Sequence, residues 1–170
     1  VRPLPDSPSL PCVVAVPDCA VSTPQAFRDW DAHSLTESAQ FATLVELNRT
    51  VAEVWCPVGS SGVFSSGEGL AENPLLALVQ TGIVNDFESV VFPQQPKLRD
   101  LKLALAGSTP VTPKENSALY AALSGSGAAL FGLYSCDQAA QDAADRVRGL
   151  GCAALVTRTL PRSEMGFGFC

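Results

Sequence analysis

Residues 118–135 read ALYAALSGSGAALFGLYS. Two apolar runs, 118–123 and 128–135, flank Ser124-Gly125-Ser126-Gly127, and two glycines within four residues mark a tight turn. The stretch predicts a pair of strands joined by that turn. Downstream, Ser135-Cys136-Asp137-Gln138 has the form of a capping box. It opens a helix whose apolar face is Ala139, Ala140, Ala143, Val147 and Leu150, closed by Gly149 and Gly151. Residues 152–159, CAALVTRT, read as the final strand.

Upstream, 107–117 is loop by composition, and Leu98, Leu101 and Leu105 share one face of a helix over 96–106. Asn85-Asp86-Phe87-Glu88 reads as an N-cap with a glutamate at the third helical position, and Pro93 limits that helix. Asn85 and Asp86 are accordingly read as helix-cap residues, with a position bordering a site left open. Residues 12–16 (CVVAV) form a short apolar run between Pro11 and Pro17, as a buried strand does. Thr23-Pro24 then supplies an N-cap and a proline at the first helical position. The helix over 24–31 has Ala26, Phe27 and Trp30 on its apolar side. Between these two blocks, Ser34 to Glu37 resembles another capping box, ahead of a periodic helix over 38–55. Residues 57–72 are a Gly/Ser-rich loop, and a short helix runs from Asn73-Pro74 to Val79.

The order is strand, several helices, strand, strand, helix, strand. This predicts an α+β protein with the ferredoxin-like split βαβ arrangement and extra helices in the first crossover. Right-handed crossovers put the first and third strands at the centre of a four-stranded antiparallel sheet with helices on one face.

Composition narrows the chemistry. Of the 170 residues 46% are apolar, enough for a sizeable core, and the formal charge is −6. A nucleic-acid surface needs the opposite balance, so no nucleic-acid partner is expected. One histidine, His33, leaves no two-His zinc site within a single chain, and no metal ligands are assigned. The six cysteines, at 12, 19, 56, 136, 152 and 170, include no C-x-x-C pair and are read as reduced thiols. No apolar run is long enough to span a membrane, and VRPLPDSPSLP lacks the pattern of a signal peptide. A cytoplasmic setting follows. Residues 1–11, with four prolines and no initiating methionine, are read as a connector cut from a longer protein. Residues 12–162 are then the domain and 163–170 a tail.

The turn at 124–127 is the strongest local signal for a site. Gly and Ser let a ligand approach the backbone, and consecutive N–H groups cradle anions. It is not a Walker loop, since no Lys-Ser/Thr follows and a strand comes next. The plain alternative is a hairpin turn that uses glycine for positive φ. Phe27 is able to stack on a ligand ring, although its spacing favours a core position like that of Trp30. The pairs Asp29/Asp31 and Asp142/Asp145 read as surface charge, and His33 as a surface residue.

PLPDSP, VVAVPDCAVSTPQAFRDW, NDFESVVF and ALSGSGAALFGLY follow one another in an order and spacing that resemble the C-terminal half of the 4-diphosphocytidyl-2-C-methyl-D-erythritol kinase family, within the GHMP kinase superfamily. The resemblance covers nearly the whole chain. It implies an ATP-dependent kinase of non-mevalonate isoprenoid biosynthesis that uses Mg²⁺ and acts on the 2-hydroxyl of a cytidine-diphosphate-linked sugar alcohol. The family's glycine-rich ATP loop, lysine and aspartate lie in an N-terminal domain that has no counterpart here, so the catalytic residues are expected there and the isolated chain is expected to be inactive. By the same resemblance, Ser124, Gly125, Ser126 and Gly127 face phosphates and the substrate hydroxyl, Phe27 lies against cytosine, and Thr23 lies near the substrate. Loops 57–72 and 107–117 exceed the family pattern, and the tail PRSEMGFGFC matches no motif. Two alternatives stand beside this reading: another GHMP kinase of homoserine or mevalonate type, or a non-catalytic ferredoxin-like module that binds a small ligand.

Overall fold

A computed structural model describes residues 8–33, 84–107, 116–161 and 164. All of these except Val84 belong to one compact unit, 6–35 with 85–170. The helices expected over 38–55 and 74–79, the 57–72 loop, most of 107–117, and all of the tail but Glu164 lie outside the described residues.

The elements are β1 (Pro11–Val16), α1 (Thr23–His33), α2 (Glu88–Gln94), α3 (Pro96–Ala106), β2 (Tyr120–Leu123), β3 (Leu130–Leu133), α4 (Asp137–Gly149) and β4 (Ala153–Arg158). The sheet is four-stranded and antiparallel in the order β2-β3-β1-β4, so the first and third strands are central as the crossover rule requires. Val13 of β1 stands opposite Gly132 of β3 and Val156 of β4, and Ala15 stands opposite Leu130 and Ala154.

Alternation along the strands sends Val13, Ala15, Leu123 and Leu130 to one face, where they are fully or almost fully buried with Leu98, Leu101 and Leu105 of α3 and Ala139, Ala140, Ala143, Ala144 and Val147 of α4. The run of alanines on α4 keeps that helix close to the sheet, because a small side chain adds little distance between backbones. Residues of the opposite sheet face are more open, and Leu155 is 62% exposed. Outside β1, Thr159 N–H donates to the Leu10 carbonyl and Leu10 N–H to Thr159 Oγ1, which extends the β1–β4 pairing by one step.

Several local expectations change. α4 has Cys136 as its N-cap with no side-chain bond, so the capping box at Ser135 does not form. Gln138, which would have to reach back, bonds Asp142 instead, and Asp137 pairs with Arg158 Nη1 at 2.6 Å. Leu150 was expected on the buried face but lies past the end of α4 and is 50% exposed. There Gly151 takes a φ of +72°, open to glycine at no steric cost. Pro93 sits inside α2 without ending it. The proline ring removes the N–H that would otherwise bond the carbonyl of Ser89, an exposed residue.

The described cysteines, Cys12, Cys19, Cys136 and Cys152, are all free thiols. Burial pushes the Cys12 and Cys152 thiols up from the ordinary value, which keeps them neutral and inert. Among the described residues no helix is long and apolar enough to cross a membrane.

Candidate functional site: the glycine-serine turn and its clamps

Ser124 to Gly127 form the connection between β2 and β3. Ser124 N–H donates to the Ala129 carbonyl at 2.8 Å, and Gly127 N–H donates back to the Ser124 carbonyl at 2.9 Å. Gly125 has a φ of +55° and Gly127 one of +93°, conformations that penalise any side chain. At Gly127 space is also short, since a β-carbon would come within 3.2 Å of Leu123 Cδ1 and 3.4 Å of Val21 Cγ2. At Gly125 the same construction meets nothing within 4 Å, so that side of the turn is open. The Gly127–Ala128 peptide is cis.

This geometry trims the expected row of anion-binding amides. The N–H groups of Ser124 and Gly127 are consumed within the turn, while those of Gly125 and Ser126 have no hydrogen-bond partner among the described residues. Two neighbouring free amides remain, not four.

Three segments grip the turn. Thr23, the first residue of α1, places its Oγ1 2.8 Å from Ser126 Oγ. The hydroxyl expected to cap α1 is thereby directed to the turn, and the Ala26 N–H is instead satisfied by the Ser22 carbonyl. The second grip is Asn85, whose Nδ2 donates to the carbonyls of Leu123 at 2.7 Å and Gly125 at 2.8 Å. Its Oδ1 accepts from Phe87 N–H at 3.0 Å. The third is Glu88, at the start of α2, whose Oε1 accepts the Leu123 N–H at 2.9 Å while Oε2 pairs with Lys102 of α3. The capping pattern read from Asn85 to Glu88 is thus used across the fold. α2 begins at Glu88 with Phe87 as its N-cap and no side-chain cap bond.

Phe27 is 52% exposed and stands edge-on to Phe87, with ring centroids 4.9 Å apart and planes at 79°. It is not a core residue, whereas Trp30 is partly buried against the core. Phe87, itself packed on the core, backs the Phe27 ring and leaves much of it open to solvent. His33 is exposed, as the sequence reading expects, and it ends α1, which runs past the 24–31 expected for that helix. Asp142 and Asp145 make only surface contacts, with Asn116 and Gln138 for the first and Gln141 and Arg148 for the second.

A separate shallow cavity of about 90 Å³ lies between α1 and α2 over Val21, Ala26 and Val91. Its rim carries Asp29, held by Gln94 Nε2 at 2.8 Å and by Gln25 Nε2. Those two hydrogen bonds hold the Asp29 carboxyl below its ordinary value. No residue of the 124–127 turn lines this cavity.

The sequence points to Thr23, Phe27 and 124–127, and the structure brings Thr23 onto Ser126. It missed the reach of Asn85 and Glu88, both of which have a sufficient local explanation in the chain. Among the described residues no group of three His, Cys, Asp or Glu is placed to hold a metal ion, so none is assigned to Mg²⁺.

No protein-family model matches the chain. Curated proteins do. A 4-diphosphocytidyl-2-C-methyl-D-erythritol kinase from Parabacteroides distasonis is 32% identical over 123 residues, 72% of this chain and 31% of that protein. One from Solibacter usitatus is 34% identical over 132 residues, 78% of this chain and 33% of that protein. One from Porphyromonas gingivalis is 52% identical over 52 residues, 31% of this chain and 16% of that protein. Among solved structures, a 4-(cytidine 5'-diphospho)-2C-methyl-D-erythritol kinase matches with a TM-score of 0.52 and 22% identity, over 89% of this chain and 43% of that one. A homoserine kinase from Cytophaga hutchinsonii matches with a TM-score of 0.58 and 20% identity, over 92% of this chain and 43% of that one. At such identities the two structures speak to the fold alone. The chain spans about a third of the length of the curated relatives from Parabacteroides and Solibacter. Within that span it is similar to 4-diphosphocytidyl-2-C-methyl-D-erythritol kinases.

Proposed function

We propose that this chain is the substrate-side, C-terminal part of a cytoplasmic ATP-dependent kinase that phosphorylates the 2-hydroxyl of 4-diphosphocytidyl-2-C-methyl-D-erythritol in non-mevalonate isoprenoid biosynthesis. Residues 1–11 are its connector to an N-terminal domain, 12–162 the domain and 163–170 a tail. The single observation that carries this reading is the contact between Thr23 and Ser126, which joins the start of α1 to a turn with two uncommitted amides. The curated names favour the cytidyl substrate. The homoserine kinase shares the fold at 20% identity, which does not bear on substrate.

In this reading the Gly125 and Ser126 N–H groups donate to phosphoryl oxygens, and the exposed face of Phe27 stacks on cytosine. Such fixed donors hold the charged diphosphate of the substrate in place, and positioning of charged groups is a large part of phosphoryl-transfer catalysis. The substrate hydroxyl oxygen forms a bond to the γ-phosphorus of ATP, the bond from that phosphorus to the β,γ-bridging oxygen breaks, and ADP leaves. The hydroxyl proton passes to a group of the N-terminal domain, to which the ATP loop, the lysine and the aspartate also belong. Mg²⁺, when bound, neutralises charge on the nucleotide phosphates.

The test has two arms. The 170-residue chain alone should not turn over ATP. Joined to the N-terminal domain of the Parabacteroides distasonis relative, it should phosphorylate the cytidyl substrate and neither homoserine nor mevalonate. Robust turnover by the chain alone, or a preference for homoserine, would defeat the reading.

A further inference from the structure

The peptide joining Gly125 to Ser126 is trans, so its carbonyl and its N–H point in opposite directions. Asn85 Nδ2 holds that carbonyl at 2.8 Å, which directs the Ser126 N–H away from Asn85. The same logic operates two peptides earlier. Asn85 Nδ2 holds the Leu123 carbonyl at 2.7 Å, and the Ser124 N–H on the far side of that peptide is taken by the Ala129 carbonyl. The Ser126 N–H has no such acceptor among the described residues. Donation to a carbonyl also polarises the N–H of the same peptide and makes it the stronger donor.

Asn85 cannot rotate its amide without loss, because Oδ1 is fixed by Phe87 N–H and both Nδ2 hydrogens have carbonyl acceptors. One acceptor and two donors at this spacing are what a primary amide offers. An aspartate keeps the bond from Phe87 N–H but turns a carboxylate oxygen toward two carbonyl oxygens.

We infer that Asn85 is a positioning residue, aiming and polarising the Ser126 N–H toward a phosphoryl oxygen of a nucleoside diphosphate; this rests on the reading of the turn proposed above. Asn85 itself touches no ligand. It acts through the peptide planes of the turn, and Thr23 holds the hydroxyl of the same Ser126 from the other side.

The experiment uses the isotopically labelled 170-residue chain and cytidine diphosphate as the probe. In the wild type, through-bond coupling from Asn85 Nδ2 to the Gly125 carbonyl carbon is expected without ligand, and the Gly125 and Ser126 amide resonances should move on titration. In Asn85→Asp, the Gly125 and Leu123 carbonyl resonances should move upfield, while the Phe87 amide and the amides of Leu98, Leu101 and Leu105 stay in place. The cytidine diphosphate response at Ser126 should weaken about tenfold or more, as loss of a hydrogen bond to a charged group implies. A mere helix-capping role would survive in Asn85→Asp, since the acceptor for Phe87 N–H is kept. An Asn85→Asp chain that responds like the wild type overturns the role of Asn85. Absence of the wild-type coupling does the same without any variant. A wild type that shows the coupling but no response at Gly125 or Ser126 overturns the phosphate reading of the turn, and with it the ligand named here.

Discussion

The Tyr134 hydroxyl lies where a side chain on Gly132 would have to go: a β-carbon built there comes 2.5 Å from Tyr134 Oη and 3.0 Å from Cζ. Tyr134 is fully buried and donates to the Leu105 carbonyl at 2.9 Å, so the ring has no free direction in which to retreat. The glycine in the middle of a central strand is therefore a packing requirement that ties β3 to the end of α3.

Gly132→Ala should lower stability by about 1–3 kcal/mol through overpacking. Tyr134→Phe should cost about 1–2 kcal/mol by leaving the Leu105 carbonyl unmatched. In the double variant the losses should add to less than their sum, because removing Oη relieves the shortest contact. Chemical denaturation of the four proteins checks this, and strict additivity would count against it.

Stability should fall on the alkaline side. Burial raises the Cys12 and Cys152 thiols and the Tyr134 phenol above their unfolded values. Each contribution is complete below the unfolded pKa, about 8.5 for a thiol, and is lost as pH rises through the higher native value. In that interval the native state holds protons that the unfolded chain has released, so the slope of stability against pH is negative. Urea midpoints measured from pH 7 to pH 10 should decline above about pH 8.5. Cys12→Ala should start lower but decline less steeply over the same range.

How much of this was legible in the chain depends on the distance over which each side chain acts. The strands announced themselves because 12–16 and 128–134 are short apolar runs closed by proline or Gly/Ser, and nothing longer-range was needed to place them. The 124–127 turn was legible for the same reason. Phe27 was not, because a residue three positions before Trp30 sits on the same helical stripe whether it is buried or bare. Its exposure follows from where Phe87 stands, 60 positions later in the chain and on another helix-bearing segment. Glu88 fits a local capping pattern so well that the sequence offered no reason to look further, and Asn85, though left open as a border of the site, gave no sign of which groups it would hold. Their bonds to 123–125 span 35 to 40 residues and arise only when α2 packs beside the β2–β3 turn.

Glu88 offers a second way to probe the clamp without touching Asn85. Glu88→Gln keeps an acceptor for the Leu123 N–H but removes the charge facing Lys102, a pair that is partly exposed, so the loss should stay below about 1 kcal/mol. Glu88→Ala leaves the Leu123 N–H without its acceptor and should cost about 1–3 kcal/mol. Thermal unfolding separates the two variants. Equal losses would mean that the Lys102 pair, and not the grip on β2, accounts for the role of Glu88.

Phe27 is the residue on which stability and binding should part company. Its ring is about half exposed and touches Phe87 edge-on, so Phe27→Ala should reduce stability by about 1 kcal/mol, in line with loss of one exposed aromatic pair. If cytosine stacks on the open face, the same substitution should weaken binding of the cytidyl substrate by the assembled enzyme about tenfold, the equivalent of one base–aromatic stack of roughly 1–3 kcal/mol. Phe27→Tyr should retain most of that affinity, because the face of the ring is preserved. The apparent KM for ATP should stay unchanged in both variants. A Phe27→Ala enzyme with an unaltered KM for the cytidyl substrate would remove this ring from the site and leave it as a surface partner of Phe87.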